Sequence, residues 1–171
     1  DYLWRVHQKT PRRGDIAVFN RSYYEDVLVT RVHGLIDDGT ARRRFEEFRD
    51  FEKYLTSNGT VVLKFFLHIS KDFQKEKLRE RLENPEKNWK FSESDLKERR
   101  FWEKYQHCYS DILSHCATPY APWCVVPSDH RWFRDYFILH TVVKALENLP
   151  LEYPVIQGNI RDLIREVEQS D

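Results

Sequence analysis

Short apolar runs alternate with longer stretches of helical periodicity along the chain. Ile16 to Phe19, Val61 to Ile69 and Trp123 to Val126 are runs of the first kind and are rich in residues that favour β-structure. The run from Val61 to Ile69 is nearly continuous, which predicts a strand covered on both faces of a parallel sheet. The pattern therefore predicts three strands.

Between and around these runs, apolar residues recur every three or four positions, as on one face of a helix. Ser70 and Ser92 are predicted to cap the two helices in the middle of the chain. The predicted helices cover Tyr2 to Lys9, Ala41 to Ser57, Ser70 to Leu82, Ser92 to Cys116 and Trp132 to Leu146, and a short final helix from Asn159 to Val167 is one of two alternatives for the tail. Strands separated by helices of this length predict an α/β fold with a parallel sheet and flanking helices. Residues 1–150 form the predicted core domain, and residues 151–171 form a C-terminal tail that is either docked or mobile.

Composition narrows the range of partners and compartments. The 171 residues contain 28 Lys and Arg against 28 Asp and Glu, so no overall positive field favours nucleic acid or an anionic membrane. No apolar run is long enough to span a bilayer, and no signal peptide is visible. The three cysteines are widely spaced and odd in number, which favours a reducing compartment, and we expect the cytoplasm. The chain begins with Asp1 and contains no methionine, so we interpret it as a fragment of a larger domain.

The first candidate site follows the first predicted strand. The segment from Asn20 to Asp26 turns abruptly polar at the position where ligands bind in open α/β sheets, beyond the carboxyl end of a strand. Arg21 offers a planar fork of donors for phosphate oxygens, and Glu25 or Asp26 is a candidate ligand for Mg²⁺. Arg31 extends the cluster. A capped helix start with surface ion pairs is the alternative interpretation.

The second candidate site is the excursion at residues 71–104, which carries eleven Lys and Arg against nine Asp and Glu. Interleaved charges of this kind are typical of a solvated helix face. The functional alternative is a helical lid whose basic residues close over a phosphate chain. Arg81, Lys87 and Lys90 are the members of the lid that we single out.

Other chemistry-bearing residues favour structural roles or are missing. Lys64 lies inside an apolar strand, where an ammonium group needs a partner; a core carboxylate is the expected one, and a phosphate is the alternative. The dipeptides His107-Cys108 and His115-Cys116 are about two turns apart on one helix, which is too far for one metal ion, so we interpret them as packing residues. No Gly-x-x-x-x-Gly-Lys-Ser/Thr phosphate loop occurs in the sequence.

Four segments, in order, resemble the family-2 polyphosphate kinases. The first resembles the Walker B region of that family, and the third resembles its lid motif. They are Ile16 to Val29, Leu63 to Lys71, Asn84 to Ser92 and Thr118 to Trp123. The resemblance covers residues 1–150 and implies a P-loop kinase fold similar to thymidylate kinase, with a helical lid at about residues 71–104.

The resemblance also implies an activity and roles for particular residues. Members of the family transfer phosphate between inorganic polyphosphate and nucleotides (AMP, ADP and ATP, or GMP, GDP and GTP) with Mg²⁺, commonly as dimers or tetramers. Arg21 matches the Walker B arginine and Arg81 the lid arginine, so both are expected to be catalytic by gripping phosphates. Asn20, Glu25, Arg31, Lys87 and Lys90 are the expected nucleotide- and phosphate-binding residues, and Glu25 and Asp26 are the expected metal ligands.

The sequence departs from the commonest family pattern at two Walker B positions. Asn20 replaces an aspartate and Glu25 replaces an asparagine, and both changes resemble the subgroup that phosphorylates nucleoside mono- and diphosphates. An amide is a weaker Mg²⁺ ligand than a carboxylate, which makes Glu25 and Asp26 the better candidates. The Walker A loop is expected upstream of Asp1. An ATP-dependent nucleoside monophosphate kinase and a non-catalytic polyphosphate-binding or oligomerisation domain are the open alternatives.

Overall fold

The computed structural model describes residues 2–155 and 158–170. In this part of the chain, helices surround a small parallel sheet. The helices are α1 (Trp4–His7), α2 (Glu25–Val32), α3 (Asp38–Ser57), α4 (Lys71–Glu83), α5 (Glu93–Arg99), α6 (Trp102–Cys116), α7 (Arg131–Glu147) and α8 (Ile160–Glu168), with a 3₁₀ turn at Asn88–Lys90. The strands are β1 (Lys64–His68) and β2 (Trp123–Pro127).

β1 and β2 run parallel in a two-stranded sheet, with Lys64 opposite Trp123 and His68 opposite Pro127. The chain between the two strands contains α4, α5 and α6, so it forms the long crossover that parallel strands require. The predictions of an α/β fold and of strands at these two places are confirmed.

The core lies where α2, α3 and α6 pack against one another. α3 begins at the cap residue Asp37, whose side chain accepts a hydrogen bond from the Thr40 amide at 2.7 Å. Its apolar face buries Phe45, Phe48 and Phe51, as the helical spacing predicts. The opposing face of α6 buries Cys108, Ile112 and Cys116, which confirms the packing role of both cysteines.

The caps predicted in the middle of the chain are also present. The Ser70 hydroxyl accepts from the Phe73 amide at 3.1 Å and begins α4, and the Ser92 hydroxyl accepts from the Ser94 amide at 3.3 Å and begins α5. However, the prediction of a single helix from Ser92 to Cys116 is wrong, because a turn interrupts the helix between Arg99 and Trp102 and divides it into α5 and α6. Arg99 Nη1 donates hydrogen bonds to the Lys71 carbonyl and to Gln74 Oε1. These bonds hold the end of α5 against the first turn of α4.

Two predictions about strands are wrong. Ile16 to Phe19 form no strand, and Ile16 and Val18 are 74% and 89% exposed, because no neighbouring strand in the described residues pairs with their backbone groups. β1 is not covered on both faces, since Leu67 is 46% exposed.

The prediction of α7 is confirmed, and α8, capped by Asn159, lies where one of the two alternatives for the tail has a helix; neither helix contains a buried residue. Among the described residues, no helix is both long enough and apolar enough to cross a membrane.

Candidate functional site

Arg21 occupies an exposed bend immediately before α2. Its φ angle of 71° lies in the left-handed region, and among the described non-glycine residues it is alone in this. Such a conformation costs about 1–3 kcal/mol for a residue with a side chain and persists only where surrounding contacts impose it. Asn20 precedes it in the same exposed bend. Arg21 is therefore presented to solvent from a strained segment of backbone.

Glu25 and Asp26 form the first turn of α2, where the helix dipole favours negative charge. Their amides donate to the carbonyls of Ser22 and Tyr23, both at 3.1 Å, and so close the turn that follows Arg21. Burial raises the pKa of the Glu25 carboxyl, while the charge of Arg21 opposes the rise.

The two acidic residues differ in their surroundings. Asp26 pairs with Arg5 of α1 at 2.5 Å, whereas Glu25 has the charge of Arg21 as its main electrostatic partner. Tyr109 of α6 is close enough to interact with both: burial and the charge of Glu25 raise its pKa to about 12, against the opposing charge of Arg21. Carboxylate oxygens are suitable Mg²⁺ ligands, and of the two residues only Glu25 is not already committed to an ion pair. The donor set fits a metal that takes its remaining ligands from phosphate and water.

The structure commits Arg31 to an interior position. Its Nη2 atom donates to Asp38 at 2.8 Å and to Asp111 at 2.9 Å, so the side chain links the end of α2 to α3 and α6. The Nη1 atom is buried and has no hydrogen-bond partner. Arg31 thus joins three helices, and two carboxylates already balance its charge.

The predicted lid residues form a second cluster. Arg81 of α4 pairs with Asp95 of α5 at 3.5 Å. Lys87 pairs with Glu80, whose pKa falls to about 2 because Lys87 and Lys77 both donate hydrogen bonds to it.

Arg81 and Lys87 are therefore each paired with a carboxylate of the same segment. The Lys90 ammonium lies 5.0 Å from the centre of the Trp89 ring and is largely exposed. In the part of the chain that the structure describes, no hydrogen bond or ion pair joins Arg21 or Glu25 to Arg81, Lys87 or Lys90. The two candidate sites are built separately.

Lys64 has the core carboxylate that the sequence predicts. Its Nζ atom lies 2.7 Å from Glu52 Oε2, and Glu52 is completely buried. Burial lowers the pKa of Lys64, and the charge of Glu52 opposes that change. Glu52 itself was not foreseen, although a signal exists: it occupies the same stripe of α3 as Phe48 and Leu55.

The described residues contain no group of three or more His, Cys, Asp and Glu side chains arranged to hold a metal. His107 and His115 are exposed on the surface of α6.

Comparison with known proteins identifies the family to which the chain belongs. Residues 1–153 match the family described as Polyphosphate kinase 2 (PPK2). An AMP/ADP-polyphosphate phosphotransferase of Meiothermus ruber is 50% identical over 154 residues, which are 90% of this chain and 58% of the relative. An ADP-polyphosphate phosphotransferase of Rhodopseudomonas palustris is 40% identical over 90% of this chain and 57% of the relative. The crystal structure of polyphosphate kinase 2 from Arthrobacter aurescens TC1 superimposes with a TM-score of 0.93 at 41% identity, covering 97% of this chain and 60% of that one.

The fold and the site define an α/β chain of the P-loop kinase type. The chain belongs to the polyphosphate kinase 2 family. It spans just under three fifths of the length of the two phosphotransferases to which it was compared.

Proposed function

We propose that this chain is the Walker B and lid portion of an enzyme that transfers phosphoryl groups between inorganic polyphosphate and nucleoside mono- or diphosphates. The observation that carries the proposal is the strained, solvent-facing Arg21 beside Glu25, in a chain 50% identical to an AMP/ADP-polyphosphate phosphotransferase. AMP, ADP and ATP, or the corresponding guanine nucleotides, are the nucleotide substrates of this proposal.

Phosphoryl transfer needs little covalent help from the protein and depends on positioning and on neutralising phosphate charge. Arg21 supplies an exposed guanidinium for phosphate oxygens, and Arg81, Lys87 and Lys90 supply further positive charge from the lid. Arg81 can exchange its 3.5 Å contact with Asp95 for a phosphate without leaving a buried charge, because both side chains are more than a third exposed. Arg31 contributes by fixing α2 against α3 and α6.

The proposal includes Mg²⁺, held by Glu25, with Asp26 as the second predicted ligand. When bound, the ion would supply positive charge that neutralises part of the phosphate charge. The 171 residues contain no Walker A sequence, so the proposal also places that loop upstream of Asp1.

The test is an assay of the protein as encoded, with any residues that its gene places before Asp1. AMP or ADP is supplied with polyphosphate and Mg²⁺ but no ATP, and nucleotide products are separated by chromatography. We expect ADP or ATP to form; activity with ATP alone as phosphoryl donor would identify a nucleoside monophosphate kinase instead. The 171-residue chain alone is predicted to show no turnover.

Matched arginine substitutions test the site. Arg21→Ala and Arg81→Ala are expected to lower kcat by about a hundredfold, the typical effect of removing one group that stabilises developing charge. Arg12→Ala and Arg79→Ala are the controls, since both remove exposed arginines from the same segments of chain. Rates equal to those of the controls would remove the site assignment.

The proposal also includes self-association, as a dimer or tetramer, in the cytoplasm. Trp132 and Leu139 are 72% and 64% exposed on one stripe of α7, and association would bury such a stripe. Light scattering after size exclusion measures the mass directly, and a monomer at micromolar concentration would contradict this part. The three cysteines are all unpaired thiols, which agrees with a reducing compartment.

A further inference from the structure

Two consecutive tyrosines shortly after Arg21 in the sequence, Tyr23 and Tyr24, both bond to the buried carboxylate of Glu52. The Tyr23 hydroxyl donates to Glu52 Oε1 at 2.5 Å, and the Tyr24 hydroxyl donates to the same atom at 2.8 Å. Glu52 belongs to α3 and is fully buried, whereas Arg21 is exposed two residues before the first of these tyrosines. The buried Glu52 carboxylate is therefore linked by two hydrogen bonds to the segment that follows Arg21.

Lys64 completes this arrangement from β1. Its ammonium group has three protons, and each has an acceptor: Glu52 Oε2 at 2.7 Å, the Tyr24 hydroxyl at 3.2 Å and the Cys116 carbonyl at 2.8 Å. Tyr23, Tyr24, Glu52 and Lys64 are called here the tyrosine–glutamate–lysine network. It joins the segment before α2 to α3, to β1 and to the last turn of α6.

Every charged group in the tyrosine–glutamate–lysine network has its partners. In a low-dielectric interior such a network fixes one geometry, because any displacement leaves a charged or polar group unpaired. The rings add a second constraint: Tyr23 stacks on Tyr24 with centroids 4.9 Å apart, and packs against Phe48 at 5.2 Å. The backbone that follows Arg21 is therefore held from within the core.

We propose that the tyrosine–glutamate–lysine network positions Arg21 for phosphate binding by locking the backbone that follows it. In this role Glu52 and Lys64 act through the tyrosines and never touch the substrate. The inference rests on the proposed phosphotransferase function. The convergence of two neighbouring phenols on one oxygen favours it over a role in stability alone, because Lys64 would suffice to compensate the charge of Glu52.

A double-mutant cycle separates positioning from stability. Tyr23→Phe removes a single hydroxyl and keeps the ring, and it is introduced into the encoded protein both alone and together with Arg21→Ala. Alone, it is expected to lower kcat about tenfold or more, as a small displacement of a catalytic group does, with KM for the nucleotide nearly unchanged. In the Arg21→Ala background the further loss is expected to be less than about twofold, since the group being positioned is already absent.

The same loss in both backgrounds would overturn the proposal, because Tyr23 would then act independently of Arg21. Tyr54→Phe is the matched control: it removes a hydroxyl from an exposed tyrosine on α3 and is expected to leave kcat unchanged. Circular dichroism at the assay temperature verifies that each variant is folded. Glu52→Gln is a second variant. Its control is Glu46→Gln, at an exposed position of the same helix.

A measurement without substrate tests the lock itself. The amides of Glu25 and Asp26 close the turn after Arg21, so their hydrogen exchange reports its opening. Tyr23→Phe is expected to accelerate exchange at both amides by about fivefold or more, and Tyr54→Phe is expected to leave it unchanged. Unchanged exchange in Tyr23→Phe would overturn the proposal. If the wild-type protein transfers no phosphate, the proposed function fails, while the exchange result still decides whether the network holds this segment.

Discussion

Replacing Lys64 by methionine tests how strongly the core depends on one buried charge. Methionine keeps an unbranched stem of similar length but removes the ammonium group and its three hydrogen bonds, which run to Glu52, Tyr24 and the Cys116 carbonyl. Glu52 would keep its two phenol donors, but its charge would have no cation within a fully buried site.

The expected cost follows from this burial. Removing one partner of a buried ion pair costs about 3–5 kcal/mol, since the remaining charge is left without compensation in a medium of low dielectric. Domains of this size unfold with about 5–15 kcal/mol, so the loss is a large fraction of the total. In contrast, Arg79 and Glu83 form an exposed pair at 3.3 Å on α4, and Arg79→Met is expected to cost less than about 1 kcal/mol.

Urea denaturation at neutral pH measures both variants, with the slope against denaturant checked for a common two-state transition. The double variant Lys64→Met/Glu52→Gln removes both charges and is expected to recover about half or more of the loss, because a neutral pair leaves no buried charge uncompensated. Lys64→Met with a loss below about 1 kcal/mol, or a double variant less stable than Lys64→Met, would refute the reasoning.

Three further predictions test other parts of the structure. Arg21→Gly is expected to be about 1 kcal/mol more stable to urea than Arg21→Ala, because only glycine adopts a φ of 71° without strain, and an alanine variant of equal stability would contradict this. Burial raises the pKa of Glu25 in the folded state, so the ionised carboxylate destabilises the fold at pH values above its unfolded pKa. Glu25→Gln should therefore raise the free energy of unfolding at pH 7 and give no gain below pH 4. The opposite pH trend would contradict the burial of Glu25. Iodoacetamide at pH 8 is expected to modify the partly exposed Cys124 before the buried Cys116, whose pKa rises to about 11, and mass spectrometry that found equal rates would contradict the placement of Cys116.

Helical periodicity predicted the elements well wherever the apolar stripe meets the core. Phe45, Phe48 and Phe51 recur on one face of α3 and are all buried, because their partners on α2 and α6 are also part of the described chain. The caps Ser70 and Ser92 begin helices for local reasons that a sequence displays directly.

The errors arise where structure depends on distant contacts. Ile16 to Phe19 have the composition of a strand, but a strand also needs a neighbour to accept its hydrogen bonds, and composition says nothing about that. The interruption of the helix at Arg100 and Phe101 cannot be recognised from the local sequence either, since neither proline nor glycine occurs there. In the structure, Arg99 at the end of α5 donates hydrogen bonds to residues of α4, which are distant in sequence.

The site could be predicted in part. The segment containing Arg21 and Glu25 was found from its polar character after an apolar run, and the structure brings these two residues together at the start of α2. The left-handed backbone of Arg21 could not be foreseen, because arginine has no preference for it. Arg31 was predicted to belong to the same site because it is near these residues in sequence. In the structure its side chain instead points to Asp111 of α6.

The small sheet has a practical consequence for handling the chain. β1 and β2 bond to each other, and within residues 2–155 and 158–170 neither has a second neighbouring strand. Each strand thus keeps an edge of N–H and C=O groups that can template pairing with another molecule, and Leu67 of β1 and Val125 of β2 are exposed apolar residues. Concentrated samples of the 171-residue chain are therefore an aggregation hazard, and lysine at either position is the first substitution to try for improving solubility.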